Sequence, residues 1–251
     1  MKRGDVFARD LPWTKVKELA EANAVALLPV GSTEAHGPHL PLTVDVLIAV
    51  EVCRRVAQRL SARGEAALIF PALNYGVTDF AATFAGTVSI PADVTQAYLT
   101  AVLQGIASHG FRRIGVINHH LEPEQFKVVH AAAKAAASAT GAGIAVPDHR
   151  KKPIGPKLGA EFTHGGSHAG RYETSLILAA APHLVDEATR TALPELAVDL
   201  PARIKAGAKT FHEVGGELAY LGAPAQATRE EGERLFELLA EASEAAVLAL
   251  P

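Results

Sequence analysis

Apolar residues along this chain alternate between two spacings. The run "NAVALLPVG" (23–31) is continuously apolar and stops at Gly31, the pattern of a strand buried on both faces. Residues 44–64 switch to helical spacing, with Val46, Ala49, Val50, Cys53, Val56 and Leu60 on one stripe and Gly64 as a stop. "AALIFPAL" (66–73) predicts a second strand, 92–110 a second helix ended by glycine, and "RIGVIN" (113–118) a third strand. A third helix over 123–141 has proline in its first turn, and "GIAVP" (143–147) reads as a fourth strand. Strands joined by helices of this length imply right-handed crossovers and a parallel sheet covered on both faces. The economical reading is one α/β domain over residues 1–251.

Residues 148–167 look like a loop, and "AGRYETSLILAAAP" (169–182) like a helix followed by an irregular stretch rich in proline and glycine. The last element, 227–250, is an amphipathic helix opened by a capping box, Thr228 with Glu231. No repeat or low-complexity linker interrupts the pattern.

Composition narrows the class. The chain is 49% hydrophobic and 20% charged, as soluble globular proteins are, and its net charge of −3 supplies no basic field for nucleic acid. The opening "MKRGDVFARDLPWTK" is basic but lacks the apolar core of a signal peptide, and the longest apolar runs are too short to cross a bilayer. Cys53, the single cysteine, lies on a helical apolar stripe and reads as a buried thiol, which fits a reducing cytoplasm.

Chemistry concentrates after the first and third strands. Glu34-Ala35-His36 follows one, and Asn118-His119-His120-Leu121-Glu122 the other. In extended backbone, residues i and i+2 share a face, so each triplet presents a carboxylate and an imidazole together. In open parallel sheets, ligands bind beyond these strand ends. With Asp45 at the start of the next helix, the set offers five oxygen and nitrogen donors, enough for two divalent ions sharing a carboxylate. Taken alone, Asp45 reads as a helix N-cap, and His39 and His119 as hydrogen-bonded structural histidines. The combination favours a metal site over a polar network, because a core cannot bury that much charge unpaired. No thiolate is involved, so zinc, manganese or a mixed pair is expected, with iron possible.

Here the sequence resembles a known family. "GSTEAHGPHLPLTVD" is similar to the E-x-H-G-x-H-L-P signature of the creatininase (creatinine amidohydrolase) family, followed shortly by Asp. "FAGTVSI", "INHHLEPEQ", "HAGRYETSLIL" and "GELAYLGAPAQATREEGERL" match further blocks of that family in order, over about residues 20–240. The resemblance implies a three-layer α/β/α sandwich with a mainly parallel sheet, a binuclear metal centre, and hydrolysis of a non-peptide amide C–N bond in a small molecule. It also implies a homo-oligomer, often a hexamer. By position, Glu34, Asp45 and His120 would hold one ion, and His36, Asp45 and Glu122 the other. His168 would shuttle protons, its ring titrating near neutrality and its approach left open by Gly165 and Gly166. Glu173 would orient His168 or support the metal shell.

Departures from the family pattern bear on substrate. Leu121 stands where a substrate-contacting tyrosine is expected, Thr78 where a serine is, and His164 where a tryptophan is. The aromatic clasp for creatinine is therefore missing, which argues against creatinine itself. Glu122, by contrast, matches creatininase where many relatives lack a carboxylate. The basic loop "DHRKKPIGPK" offers Arg150 or Lys151 to an anionic substrate, although such a charge run is more simply a solvated face. A cyclic amide or formamide is the expected substrate. A peptidase acting on a short modified peptide and a non-catalytic binding protein are the alternatives.

Overall fold

The computed structural model describes residues 7–164 and 166–251; the sequence readings at the first six residues and at Gly165 lie outside them. Helix α1 (Trp13–Glu21) leads into β1 (Val25–Val30), and α2 (Val44–Ala62) into β2 (Ala67–Ile69). Then come α3 (Ala92–Ser108), β3 (Arg113–Asn118), α4 (Pro123–Thr140) and β4 (Gly143–Ala145). Helices α5 (Ala160–Thr163), α6 (Arg171–Ala180), α7 (Glu187–Ala192), α8 (Leu200–Lys205) and α9 (Arg229–Leu248) complete the order.

The four strands are parallel, in the order β2-β1-β3-β4. All six residues of β1 are buried, as its unbroken apolar run requires of a central parallel strand. Val25 and Leu27 pack with Ile48, Val52 and Val56 of α2, Leu176 of α6, and Leu235, Phe236 and Leu239 of α9. Ala26, Leu28 and Val30 face the other way, toward Leu99 and Leu103 of α3 and Val129 and Ala132 of α4. This is the expected three-layer sandwich. Pro29 is tolerated in a central strand because its carbonyl, which accepts from Leu73 N at 3.0 Å, marks the side on which β2 has already ended. No ladder donor is lost there.

The register fixes the site. Val30 pairs with Asn118, so the loops leaving β1 and β3 emerge side by side. The chain passes from β1 outward to β2 in one direction and from β3 outward to β4 in the other, making this the switch point of the sheet.

The structure differs from the pattern reading in several places. Strand β2 is three residues long, and its continuation meets β1 through Phe70 N, which donates to Leu27 O at 2.8 Å, and at the isolated Val30–Leu73 bridge. The loop over 148–167 contains α5 and a 3-10 turn at Gly155–Leu158. Helices α1, α7 and α8 were not anticipated; α7 and α8 are six residues each, too short to show a period, although Asp186 and Asp199 cap them by accepting from Thr189 N and Ala202 N. The capping box of α9 forms by half. Thr228 Oγ1 accepts from Glu231 N at 3.1 Å, but the Glu231 carboxylate takes Arg171 instead of reaching back. Helix α9 is tied to α2 by Glu244, buried between Arg59 (2.8 Å) and Arg63 (2.7 Å). Among the described residues, no helix is long and apolar enough to cross a membrane.

Candidate metal centre

Gly31 closes β1 where α2 begins. A Cβ there would lie 2.6 Å from Val46 N and 2.9 Å from Asp45 Cβ, so glycine lets the helix start against the strand end. Asp45 is thereby aimed inward from the first turn of α2. The N-cap position belongs to Thr43, so Asp45 is free of the capping role. Glu34 and His36 arrive from the loop after β1, His120 and Glu122 from that after β3, and His168 and Glu173 from the entry to α6 and its first turn.

Three histidines are held in the same way. His36 Nδ1–H donates to Glu34 O (3.1 Å), His120 Nε2–H to Val77 O (2.7 Å), and His168 Nε2–H to Ala35 O (2.9 Å). Each backbone carbonyl fixes the tautomer and leaves the other ring nitrogen facing carboxylates. His36 Nε2 stands 3.4 Å from Asp45 Oδ1 and 3.4 Å from Glu173 Oε2. His120 Nδ1 stands 3.0 Å from Asp45 Oδ2 and 3.2 Å from Glu34 Oε1. The two oxygens of Asp45 therefore face two different histidines. His36 Nε2 and Asp45 Oδ2 make no hydrogen bond despite complete burial.

The field at this point strongly favours a cation. Burial works against protonating His36, yet Asp45 first, then Glu173 and Glu34, lift it to about 10. Burial likewise opposes charge on His120, and Glu34 and Asp45 raise it well above its ordinary value. The Asp45 carboxyl, despite burial, is held below the usual range by His120 and His36. Glu173 and Glu122 are pushed up by burial, to about 8 and about 7. His168 goes down to about 4, by burial first and then the charge of His36. Orphaned buried nitrogen and oxygen atoms, hard donors and fixed tautomers fit divalent ions.

The grouping differs from the ligand sets implied by the family resemblance. Glu173, not Glu122, joins His36 and Asp45, whereas Glu122 gathers with Glu34 and His120. Backbone N–H groups of Asp79 (3.1 Å) and Phe80 (3.3 Å) hold the Glu122 carboxylate on that side. Glu173 accepts from Ala169 N at 2.7 Å, and the ring of His168 is set by Ala35 O, not by Glu173. His168 also stacks on Phe211, with ring centroids 4.2 Å apart.

A cavity of about 680 Å³ opens above these groups. Leu121 lines it; Thr78 and His164 do not. The Thr78 hydroxyl is spent on Glu34, and His164, exposed just past the end of α5, donates its Nδ1–H back to Ala160 O in that helix. His39 is the structural histidine expected, bonded to Thr174 Oγ1 at 2.9 Å, while His119 stacks on Tyr172 and leaves Nε2 unpartnered. Of the basic loop, Arg150 and Lys152 reach the cavity wall, and Lys151 pairs with Asp148 at 3.3 Å. Glu161 went unnoticed in the sequence: its carboxylate accepts from Arg171 N, Tyr172 N and Ala223 N at 2.7–3.0 Å, fastening α5 to the start of α6.

A family model described as "Creatinine amidohydrolase" matches residues 9–247. The chain belongs to the creatininase family. It is 33% identical over 202 residues to a creatinine amidohydrolase of Pseudomonas putida, covering 72% of this chain and 74% of that one. It is 32% identical over 216 residues to a mycofactocin precursor peptide peptidase of Mycobacterium ulcerans (strain Agy99), covering 84% and 79%. Two solved creatininases, one a mutant of Zn-Zn type and one a Mn form, each superpose with a TM-score of 0.78 at 25% identity, covering 97% of both chains. As a creatininase-family member, the chain is a hydrolase of a metal-dependent enzyme class.

Proposed function

We propose that this creatininase-family protein hydrolyses a non-peptide amide C–N bond, in a cyclic amide or formamide, at a centre of two divalent ions. The observation that carries the reading is the split engagement of Asp45, with one oxygen toward His36 and the other toward His120. Glu34, Asp45 and His120 would hold one ion, with Glu122 beside them; His36, Asp45 and Glu173 would hold the other. Zinc, manganese or iron suits these donors, and relatives solved in Zn-Zn and Mn forms support the first two. When bound, such ions acidify a water and polarise the scissile carbonyl.

The chain's own groups do the rest. The free Nδ1 of His168 lies 3.8 Å from Glu34 Oε1 and the residue borders the cavity, so its ring would face a water held between the ions and the substrate. Kept neutral by burial, His168 would take a proton from the attacking water and return it to the departing nitrogen. Phe211 stacked on its ring and the Ala35 carbonyl prevent it from turning away. A homo-oligomer acting in the cytoplasm belongs to the same proposal.

A second reading, cleavage of a short modified peptide, is favoured by the mycofactocin-peptidase relative and by a cavity larger than a single lactam needs. The test is a panel of lactams, cyclic ureas, imides, formamides and short peptides, assayed with zinc or manganese added. Turnover of a lactam or formamide supports the first reading, exclusive turnover of peptides the second, and no metal-dependent turnover rejects both.

A further inference from the structure

The cavity is polarised along its depth. Its acidic lining residues, Glu34, Asp45, Glu122 and Glu173, all belong to the floor. One face of α8, carrying Leu200, Ile204 and Lys205, lines it with helical spacing, and Phe80 and Phe211 add aromatic wall. Three basic side chains border it: Arg150, Lys152 and Lys205.

These cations are not equivalent. Arg150 is already satisfied, since Asp148 takes its Nε at 3.0 Å and its Nη2 at 3.2 Å, and the guanidinium lies 3.5 Å above the Phe126 ring. Asp148 also takes Lys151. Lys152 and Lys205 are exposed and, among the described residues, have no carboxylate partner. Two unpaired ammonium groups thus border an apolar-walled cavity, where field lines concentrate. The amide to be cleaved would occupy the floor, so an anionic group at the other end of the same molecule would meet the two lysines at the exposed border of the cavity.

We propose that Lys152 and Lys205 form an anion clasp, and that the substrate is an amide bearing a carboxylate or phosphate at the end remote from the scissile bond, joined through an apolar stem. This rests on the amide-hydrolase reading above and names the class of molecule that site accepts. The cavity volume and apolar walls account for the stem, and the split of charge accounts for the orientation.

The test uses zinc-loaded protein and alkyl hydroxamates of graded length, ended by a carboxylate, a phosphonate or a methyl ester, with binding measured by calorimetry at low and high salt. At the best length, a charged probe is expected to bind about tenfold or more tighter than its ester. That preference should shrink with salt and disappear in the Lys152→Gln/Lys205→Gln double variant, while ester affinity is retained. Comparison of carboxylate with phosphonate identifies the preferred anion. Equal binding of charged and neutral probes, or a preference that survives in the double variant, would overturn the clasp alone. Failure of every hydroxamate to bind would overturn the metal-hydrolase reading and the clasp with it.

Discussion

Replacing Gly31 with alanine tests whether the close approach of β1 and α2 sets the metal centre. The added Cβ would sit 2.6 Å from Val46 N, 2.8 Å from Asp45 C and 2.9 Å from Asp45 Cβ, where ordinary contact begins at 3.4 Å. The backbone must therefore open by about 0.8 Å, and every contacting atom belongs to the turn that carries Asp45. Overpacking of this kind costs about 1–3 kcal/mol. At about 2–4 °C per kcal/mol in a chain of this size, Tm should fall by roughly 2–12 °C. A displacement near 1 Å in a group that would be shared by two ions should lower kcat by about 100-fold. The companion change is Gly105→Ala, on the exposed side of α3, where nothing lies within 4 Å of the added atom. That variant should gain about 0.5–1 kcal/mol and keep full activity and metal content. Thermal denaturation, elemental analysis and turnover are measured on both. A Gly31→Ala protein with wild-type stability, ion content and rate would refute the reasoning.

His168→Gln should keep its ions but lose about 10²–10⁴ in kcat, read from elemental analysis beside steady-state kinetics. Equal loss of metal would make His168 a ligand instead of a proton carrier. His149, bonded to Ser243 Oγ and held down to about 4 by burial, stays neutral in the folded chain while the unfolded chain protonates near 6.5. Stability should then fall as pH drops from about 6.5 toward 4, this one group contributing up to about 3 kcal/mol, and His149→Gln should flatten the slope. An unchanged slope would show that His149 is already charged. Glu244→Ala leaves Arg59 and Arg63 without their shared carboxylate and should cost about 2 kcal/mol in urea unfolding, with catalysis unaffected. An unchanged midpoint would show that this pair does not hold α9 to α2.

The sheet was legible in the sequence because parallel central strands are apolar throughout, and "VALLPV" and "RIGVIN" could be little else. The cluster of candidate metal ligands was legible for a related reason: carboxylates and imidazoles at the ends of buried strands have few other uses. What the sequence could not convey was their partition. Half-buried Glu122 lies near His120 and buried Glu173 near His36, and backbone donors at Asp79 and Phe80 for the one and Ala169 for the other set which group each acid joins. The cavity wall was equally hidden. Helix α8 is too short for a periodic signal, so the stretch from Leu200 to Lys205 read as irregular although Asp199 caps it. Thr78 and His164 do not line the cavity, because residues beside it in sequence need not face it. One hydroxyl satisfies Glu34, and one imidazole folds back on its own helix.

Anomalous diffraction from crystals loaded with zinc or manganese tests the central claim most directly. Two peaks per chain are predicted with Asp45 between them, one beside His36 and Glu173 and the other beside Glu34 and His120. A single peak, or a pair that leaves Asp45 out of contact, would contradict the account.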